Sequence, residues 1–157
     1  MKFFIDTEFL ERGRQFPIEL ISIGIVCENG KWFYAENSEY AINFSSKWLL
    51  ENVIPNLTGP KLDYNQLRFQ ILKFIEKNRN EEDPEFWGYY ADYDWVVFCQ
   101  IFGSMLDLPK QFPMFCNDIK QLCKNLGNPK LPEQQSNEHN ALNDAQWNLM
   151  VYNFLIK

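Results

Sequence analysis

Lys2-Phe3-Phe4-Ile5-Asp6-Thr7-Glu8-Phe9 opens the chain with an apolar run that ends on two acids. Phe3 to Ile5 carry the backbone into a core, and side chains along a strand alternate between its faces. Asp6 and Glu8 therefore point the same way, and Thr7 the other. Two carboxylates on one face at the end of a buried strand repel each other unless a cation or a shared proton lies between them. The placement predicts a metal site, completed by acids from distant parts of the chain.

Outward from this strand, Leu10 to Pro17 is a polar turn carrying Arg12 and Arg14. These arginines can meet phosphates or simply be solvated. Ile18 to Cys27 is apolar and β-branched, a second strand. Asn29-Gly30 readily takes positive φ and turns the chain back into a third strand, Trp32 to Glu36, antiparallel to the second. Ser45-Ser46 ahead of Lys47–Val53 predicts a short capped helix that ends before Pro55. Asn56 to Lys61 reads as a loop. Asp63 caps an amphipathic helix with Leu67, Ile71, Leu72, Phe74 and Ile75 on its apolar side.

Glu85 to Tyr90 predicts a fourth strand. Asp92 is placed to cap the next helix, with Trp95, Phe98, Cys99 and Phe102 facing inward. Met114-Phe115-Cys116 reads as a short fifth strand, followed by a helix from Asp118 to Asn125 that Gly127 stops. Asn128 to Asn137 has no periodicity and reads as a loop leading into His139. The last helix, roughly Asn140 to Ile156, buries Leu142, Leu149, Tyr152 and Leu155 or their neighbours. The order predicts an α/β protein. Its mixed five-stranded sheet begins as an antiparallel three-stranded meander, with helices packed on it, in one domain over 1–157. A fourth strand parallel to the first would bring their carboxyl ends to one crevice, with Asp6 and Glu8 on one lip and Asp92 and Asp94 on the other.

Composition narrows the function. Of 157 residues, 46% are hydrophobic and 23% charged, ordinary for a globular domain, while 17% are aromatic, enough to fill a core and leave rings for base stacking. The net charge of −6 argues against coating long duplex DNA by phosphate neutralisation, and suits a short or single-stranded substrate held locally. No apolar stretch approaches the roughly 20 residues of a membrane span, and no signal peptide is visible. The four cysteines form no CxxC pair, and with one histidine they make a poor zinc set. They read as reduced, buried thiols, which points to the cytoplasm.

Two further segments carry chemistry: Tyr89-Tyr90-Ala91-Asp92-Tyr93-Asp94 and Glu138-His139-Asn140-Ala141-Leu142-Asn143-Asp144. Carboxylates from both, with one histidine, are expected to converge on Asp6 and Glu8. Hard oxygen donors of this kind suit Mg²⁺ or Mn²⁺. Two such ions about 3.5–4 Å apart clamp the attacking and leaving oxygens of a phosphodiester displacement. A neutral imidazole beside the attacking water can take its proton at neutral pH.

Asp6-Thr7-Glu8, then Tyr93-Asp94, then His139-Asn140-Ala141-Leu142-Asn143-Asp144 resembles the DEDDh 3′-5′ exonucleases of the RNase H-like superfamily. The resemblance runs from the first strand to the last helix and is strongest to small stand-alone exoribonucleases of bacteria and phages. It implies an RNase H-like fold, with Asp6, Glu8, Asp94 and Asp144 as ligands of two Mg²⁺ or Mn²⁺ ions and His139 as general base. It implies removal of 5′-mononucleotides from the 3′ end of single-stranded RNA in preference to DNA. It gives Phe9 and Leu10, with His139, contacts to the terminal nucleotide. Short relatives of this kind are often dimers, so a homodimer is one implied arrangement. The stretch Tyr89-Tyr90-Ala91 departs from the family, many members of which carry an asparagine a few residues before the third acid.

Other classes are weighed against this reading. An exodeoxyribonuclease of the same fold would share every motif. A non-catalytic nucleic-acid-binding module would be expected to have lost an acid, and none is lost. An aspartyl phosphatase wants a second Asp two positions after the first, where Glu8 stands. No GxxxxGK[ST] or GxSxG motif supports an NTPase or a serine hydrolase.

Overall fold

The computed structural model describes residues 1–42, 46–134 and 138–157. β1 (Lys2–Leu10), β2 (Glu19–Cys27) and β3 (Trp32–Asn37) form the expected antiparallel meander. Gly30, at φ +84°, makes the turn between β2 and β3. Among the described residues the sheet has six strands rather than five, in the order β4-β3-β2-β1-β5-β6. The addition is β4 (Lys61–Leu62), a two-residue strand parallel to β3 where the sequence reads as the end of a loop. β5 (Glu85–Gly88) runs parallel to β1, as expected, but stops before Tyr89 and Tyr90.

The last strand is displaced from its predicted place. β6 is Asn117–Asp118, not Met114–Cys116. An apolar triplet suggested a strand, yet Met114 and Phe115 are 51% and 60% exposed. Pairing is set by β5, whose last two residues, Trp87 and Gly88, bond to Asn117 and Asp118.

Among the described residues five α-helices pack on the sheet: α1 (Lys47–Asn52), α2 (Tyr64–Asn78), α3 (Asp92–Phe102), α4 (Ile119–Asn125) and α5 (Ala141–Leu155). Ser46 caps α1 by accepting from the Leu49 N–H; Ser45, the other half of the predicted cap, lies outside the described residues, as do the last three residues of the predicted loop 128–137. Asp63 caps α2 in a reciprocal capping box with Gln66. Alternation along β1 divides the core. Phe3 and Ile5 join Leu67, Ile71, Ile75, Trp95 and Phe98 under α2 and α3. Phe4 faces the other layer with Val26, Ile119, Ala145 and Val151, under α4 and α5.

α5 does not bury the leucines that its pattern suggested. Ala141, Ala145, Asn148, Val151 and Tyr152 are the buried positions, and Leu142, Leu149 and Leu155 lie only partly covered beside them. The reason is closeness. Gly24 on β2 sits under the first turn of α5, and a Cβ there would lie 2.1 Å from the Ala141 carbonyl oxygen. Small residues on both surfaces let the helix settle on the sheet, and the Asn148 amide donates to the Ile5 carbonyl at 2.9 Å. Gly24→Ala is therefore expected to force the helix start away. The cost should be about 1–3 kcal/mol or more, as for other overpacked cores. A thermal midpoint lower by about 2–4 °C per kcal/mol would register it.

Candidate active site

The acids meet where β1 outruns its neighbour. β5 pairs with β1 only over Lys2, Phe3 and Phe4, so the β1 backbone beyond is unpaired on that side. Asp94, in the first turn of α3, fills the gap: its Oδ1 accepts from the Thr7 N–H at 2.8 Å and from the Thr7 hydroxyl at 2.6 Å. Asp94 is 7% exposed. Thr7 faces away from Asp6 and Glu8, as the alternation requires, and that is what lets it grip an acid arriving from the opposite layer.

On the α5 side, Asp6 lies across from Gly24 in the β1–β2 ladder. The same glycine that admits α5 thus brings Asp144, from its first turn, over Asp6 and Glu8. One oxygen each from Asp6, Glu8 and Asp144 lie within 4.8 Å of one another. Asp6 and Asp144 line a cavity of ≈ 370 Å³ with Tyr89, Gln134, His139 and Trp147. His139 has φ +64° at the entry to α5. Its ring meets Trp48 of α1 edge to face, centroids 4.7 Å apart, and its carbonyl accepts from the Asn56 amide at 3.3 Å.

The electrostatics of this cluster are those of an uncompensated anion site. Burial, then repulsion from Asp94, Asp144 and Glu8, pushes the Asp6 carboxyl well above its usual range. Burial, then repulsion from Asp144 and Asp94, pushes Glu8 up to about 8. Asp94 rises to about 6 through burial, opposed by its bonds to Thr7. Asp144 is raised by burial, opposed by Gln134, whose amide donates to its Oδ1 at 2.5 Å. No Lys or Arg is among the described residues lining the cavity. Clustered hard oxygens with no cationic side chain fit a divalent metal ion.

A pH dependence follows. Each of these acids binds its proton more tightly folded than unfolded, so the stability they contribute is fully present below about pH 4. It is lost as pH rises through about 6 for Asp94 and about 8 for Glu8. In EDTA the thermal midpoint should fall between pH 5 and 8.5. Added Mn²⁺ should restore it far more at pH 8 than at pH 5.

The other predicted residues divide. Phe9 is half-buried and stacks on Tyr93, centroids 5.4 Å apart and 8° from parallel, against the core layer under α2 and α3. Leu10, expected to touch substrate, is 1% exposed and packs with Ile21, Leu49 and Val53; it supports α1 rather than presenting a surface. Asp92 is not a cap. The residue before α3 is Ala91, with no side-chain cap, and Asp92 is an exposed first-turn acid. Arg12 is paired with Glu19 and lies over the Phe16 ring. Gln134 could not have been found from the sequence, since it has no spacing relation to the motifs. Gly24 could have been noticed as a lone glycine in an otherwise apolar strand, a mark of close approach.

Residues 1–156 match a family described as the 3′-5′ exoribonuclease Rv2179c-like domain. The chain belongs to this family. Two relatives from Mycobacterium tuberculosis, the 3′-5′ exoribonucleases Rv2179c (strain H37Rv) and MT2234.1 (strain CDC 1551 / Oshkosh), are each 35% identical over 150 residues, 93% of this chain and 88% of theirs. As a member of the Rv2179c-like family the chain is a 3′-5′ exoribonuclease. Its fold is that of the DEDDh exonucleases. The nuclease domain of 3′hExo, a DEDDh member solved with rAMP, superposes with a TM-score of 0.65 at 12% identity, covering 99% of this chain and 90% of that one. The cell-death related nuclease CRN-4 gives 0.56 at 15%, covering 99% and 63%. No helix among the described residues is long and apolar enough to cross a membrane.

Proposed function

We propose that residues 1–157 form one catalytic domain that hydrolyses single-stranded RNA from its 3′ end to 5′-mononucleotides. Asp6, Glu8, Asp94 and Asp144 would hold two divalent ions, Mg²⁺ or Mn²⁺, and His139 would be the general base. The observation that carries this reading is the meeting of Asp6, Glu8 and Asp144 oxygens within 4.8 Å, in the region whose cavity also takes in His139. Bound there, the ions would neutralise the acids, polarise the phosphodiester and acidify the attacking water.

The chain's own residues do the rest. β1 and α5 hold three carboxylates in fixed register, and Thr7 fixes the fourth. The entry to α5 presents the His139 ring to the same cavity, where it can accept the proton of an attacking water. Phe9, stacked on Tyr93, offers an aromatic face for the terminal base. RNA is favoured over DNA because the Mycobacterium relatives are named exoribonucleases.

Incubation with 5′-labelled single-stranded RNA and DNA, with Mn²⁺ or with EDTA, tests the reading. Ladders that shorten from the 3′ end of RNA with metal only are expected. Full activity in EDTA, or shortening from the 5′ end, would overturn it. His139→Ala should lower kcat by about 10²–10⁴-fold, the range for a positioned general base, with little change in Kd for RNA measured in Ca²⁺. An equal loss in both would show that His139 binds rather than reacts.

A further inference from the structure

Tyr90 stands two residues beyond β5 with φ +55°. Glycine takes that left-handed conformation freely, whereas a bulky aromatic there is a genuine outlier that costs stability. The turn that carries it is tight. A Cβ on Gly88 would lie 2.9 Å from the Ala91 Cβ, so the two ends of the turn are in close contact. The Ala91 N–H donates to Asp118 Oδ2 at 2.9 Å, and Oδ1 of the same carboxylate caps α4 by accepting from the Gln121 N–H at 2.7 Å. The strained conformation is thus imposed from both sides, as strained residues at functional sites are.

The side chain kept at that strained position adds little to the core. Tyr90 is 63% exposed, its ring edge-on to Tyr89 with centroids 4.9 Å apart. Tyr89 in turn meets Trp147 edge to face at 5.0 Å. Tyr89 and Trp147 line the cavity that holds Asp6, His139 and Asp144. Three rings therefore step outward from the acids at about the spacing of aromatic contacts and end on an exposed face. Lys120 of α4 is close enough to favour the charged form of Tyr89, a positive charge beside this path.

We propose that Tyr90 is the stacking platform for the penultimate nucleotide, the one whose 3′ oxygen leaves when the terminal nucleotide is released. The occupant is single-stranded RNA, and the proposal rests on the exonuclease reading above. A π-face accepts any base, so the platform grips the strand without reading its sequence. It also stands in the segment where the chain departs from the asparagine-bearing pattern of its wider family.

Two substrates separate the subsites. A heptauridylate fills both the terminal and the penultimate positions. The 4-nitrophenyl ester of uridine 5′-monophosphate has a nitrophenolate where the penultimate nucleotide would be. In Tyr90→Gly the ratio of kcat/KM for the heptauridylate to that for the ester should fall about tenfold, within the range for one lost base stack. The thermal midpoint should hold or rise, because glycine relieves the strain. Tyr90→Trp should keep the wild-type ratio. An unchanged ratio in Tyr90→Gly, or an equal fall in Tyr90→Trp, overturns the platform. If the wild type hydrolyses neither compound, the exonuclease reading has failed. The platform is then judged by anisotropy of labelled heptauridylate in Ca²⁺, where equal affinity of wild type and Tyr90→Gly overturns it.

Discussion

Asp6→Asn is expected to abolish RNA hydrolysis while making the metal-free protein more stable at pH 8. The two effects have one origin. Asp6 lies at the centre of the acid cluster, and Asp94, Asp144 and Glu8 all oppose its ionisation in a buried setting. An asparagine keeps the shape and one oxygen but carries no charge. Metal-free, the variant loses a source of repulsion, so its thermal midpoint in EDTA should exceed the wild type's above pH 7 and approach it near pH 5. Toward substrate it loses one negative charge from the proposed metal site, where bound ions would contribute several kcal/mol to the transition state. At about 1.4 kcal/mol per tenfold, a loss of roughly 10³-fold or more is expected. The Mn²⁺-induced rise in thermal midpoint should shrink in parallel. A variant that digests RNA at near wild-type rate, or that is less stable than wild type in EDTA at pH 8, would remove Asp6 from the metal site.

Much of this site was legible because β1 obeys a simple period. Once Phe3 to Ile5 are read as entering a core, alternation alone sets Asp6 and Glu8 on one face and Thr7 on the other, and the structure has them so. The meander followed from β-branched runs and Asn29-Gly30, whose turn chemistry is local. What the sequence did not reveal depends on contacts between distant segments. β4 and β6 are two residues each, too short to carry a pattern, and exist because β3 and β5 offer them an edge. On α5 Tyr152 is buried as expected, but the named leucines yield to their neighbours Ala141, Asn148 and Val151, because proximity to Gly24 selects for small side chains at the helix start. Leu10 keeps the face of β1 that carries Asp6 and Glu8, but there it meets Ile21, Leu49 and Val53, so α1 covers it; that contact with a distant helix left no mark in the strand's pattern. Asp92 was assigned as a cap from its place after a strand. The structure instead spends the Asp118 carboxylate on that turn, from a strand that sequence had placed elsewhere.

The same revision sharpens the contrast between Asp92 and Asp94. Asp92 is exposed and bonds to nothing in the turn, so its carboxylate helps only through the favourable charge at a helix start. Asp92→Asn should leave RNA hydrolysis within about twofold and cost a few tenths of a kcal/mol, as for an exposed first-turn acid. Asp94 is buried, accepts two bonds from Thr7 through Oδ1, and repels Asp6. Asp94→Asn can still accept both bonds through its amide oxygen, so β1 and α3 should stay joined and the fold intact. What disappears is the charge facing Asp6. Asp94 stands outside the three-oxygen group of Asp6, Glu8 and Asp144, so its loss should leave one cation site largely in place and weaken a second. Calorimetric titration with Mn²⁺ should show two binding events in the wild type and one in Asp94→Asn, with the rate down by orders of magnitude. Thr7→Val is the control for a purely structural role. It removes the hydroxyl donor and leaves the charge, so it should lower the thermal midpoint more than Asp94→Asn does and the rate far less. If Thr7→Val is as inactive as Asp94→Asn while both bind two Mn²⁺ ions, then Asp94 serves to anchor β1 and the fourth ligand must be sought elsewhere.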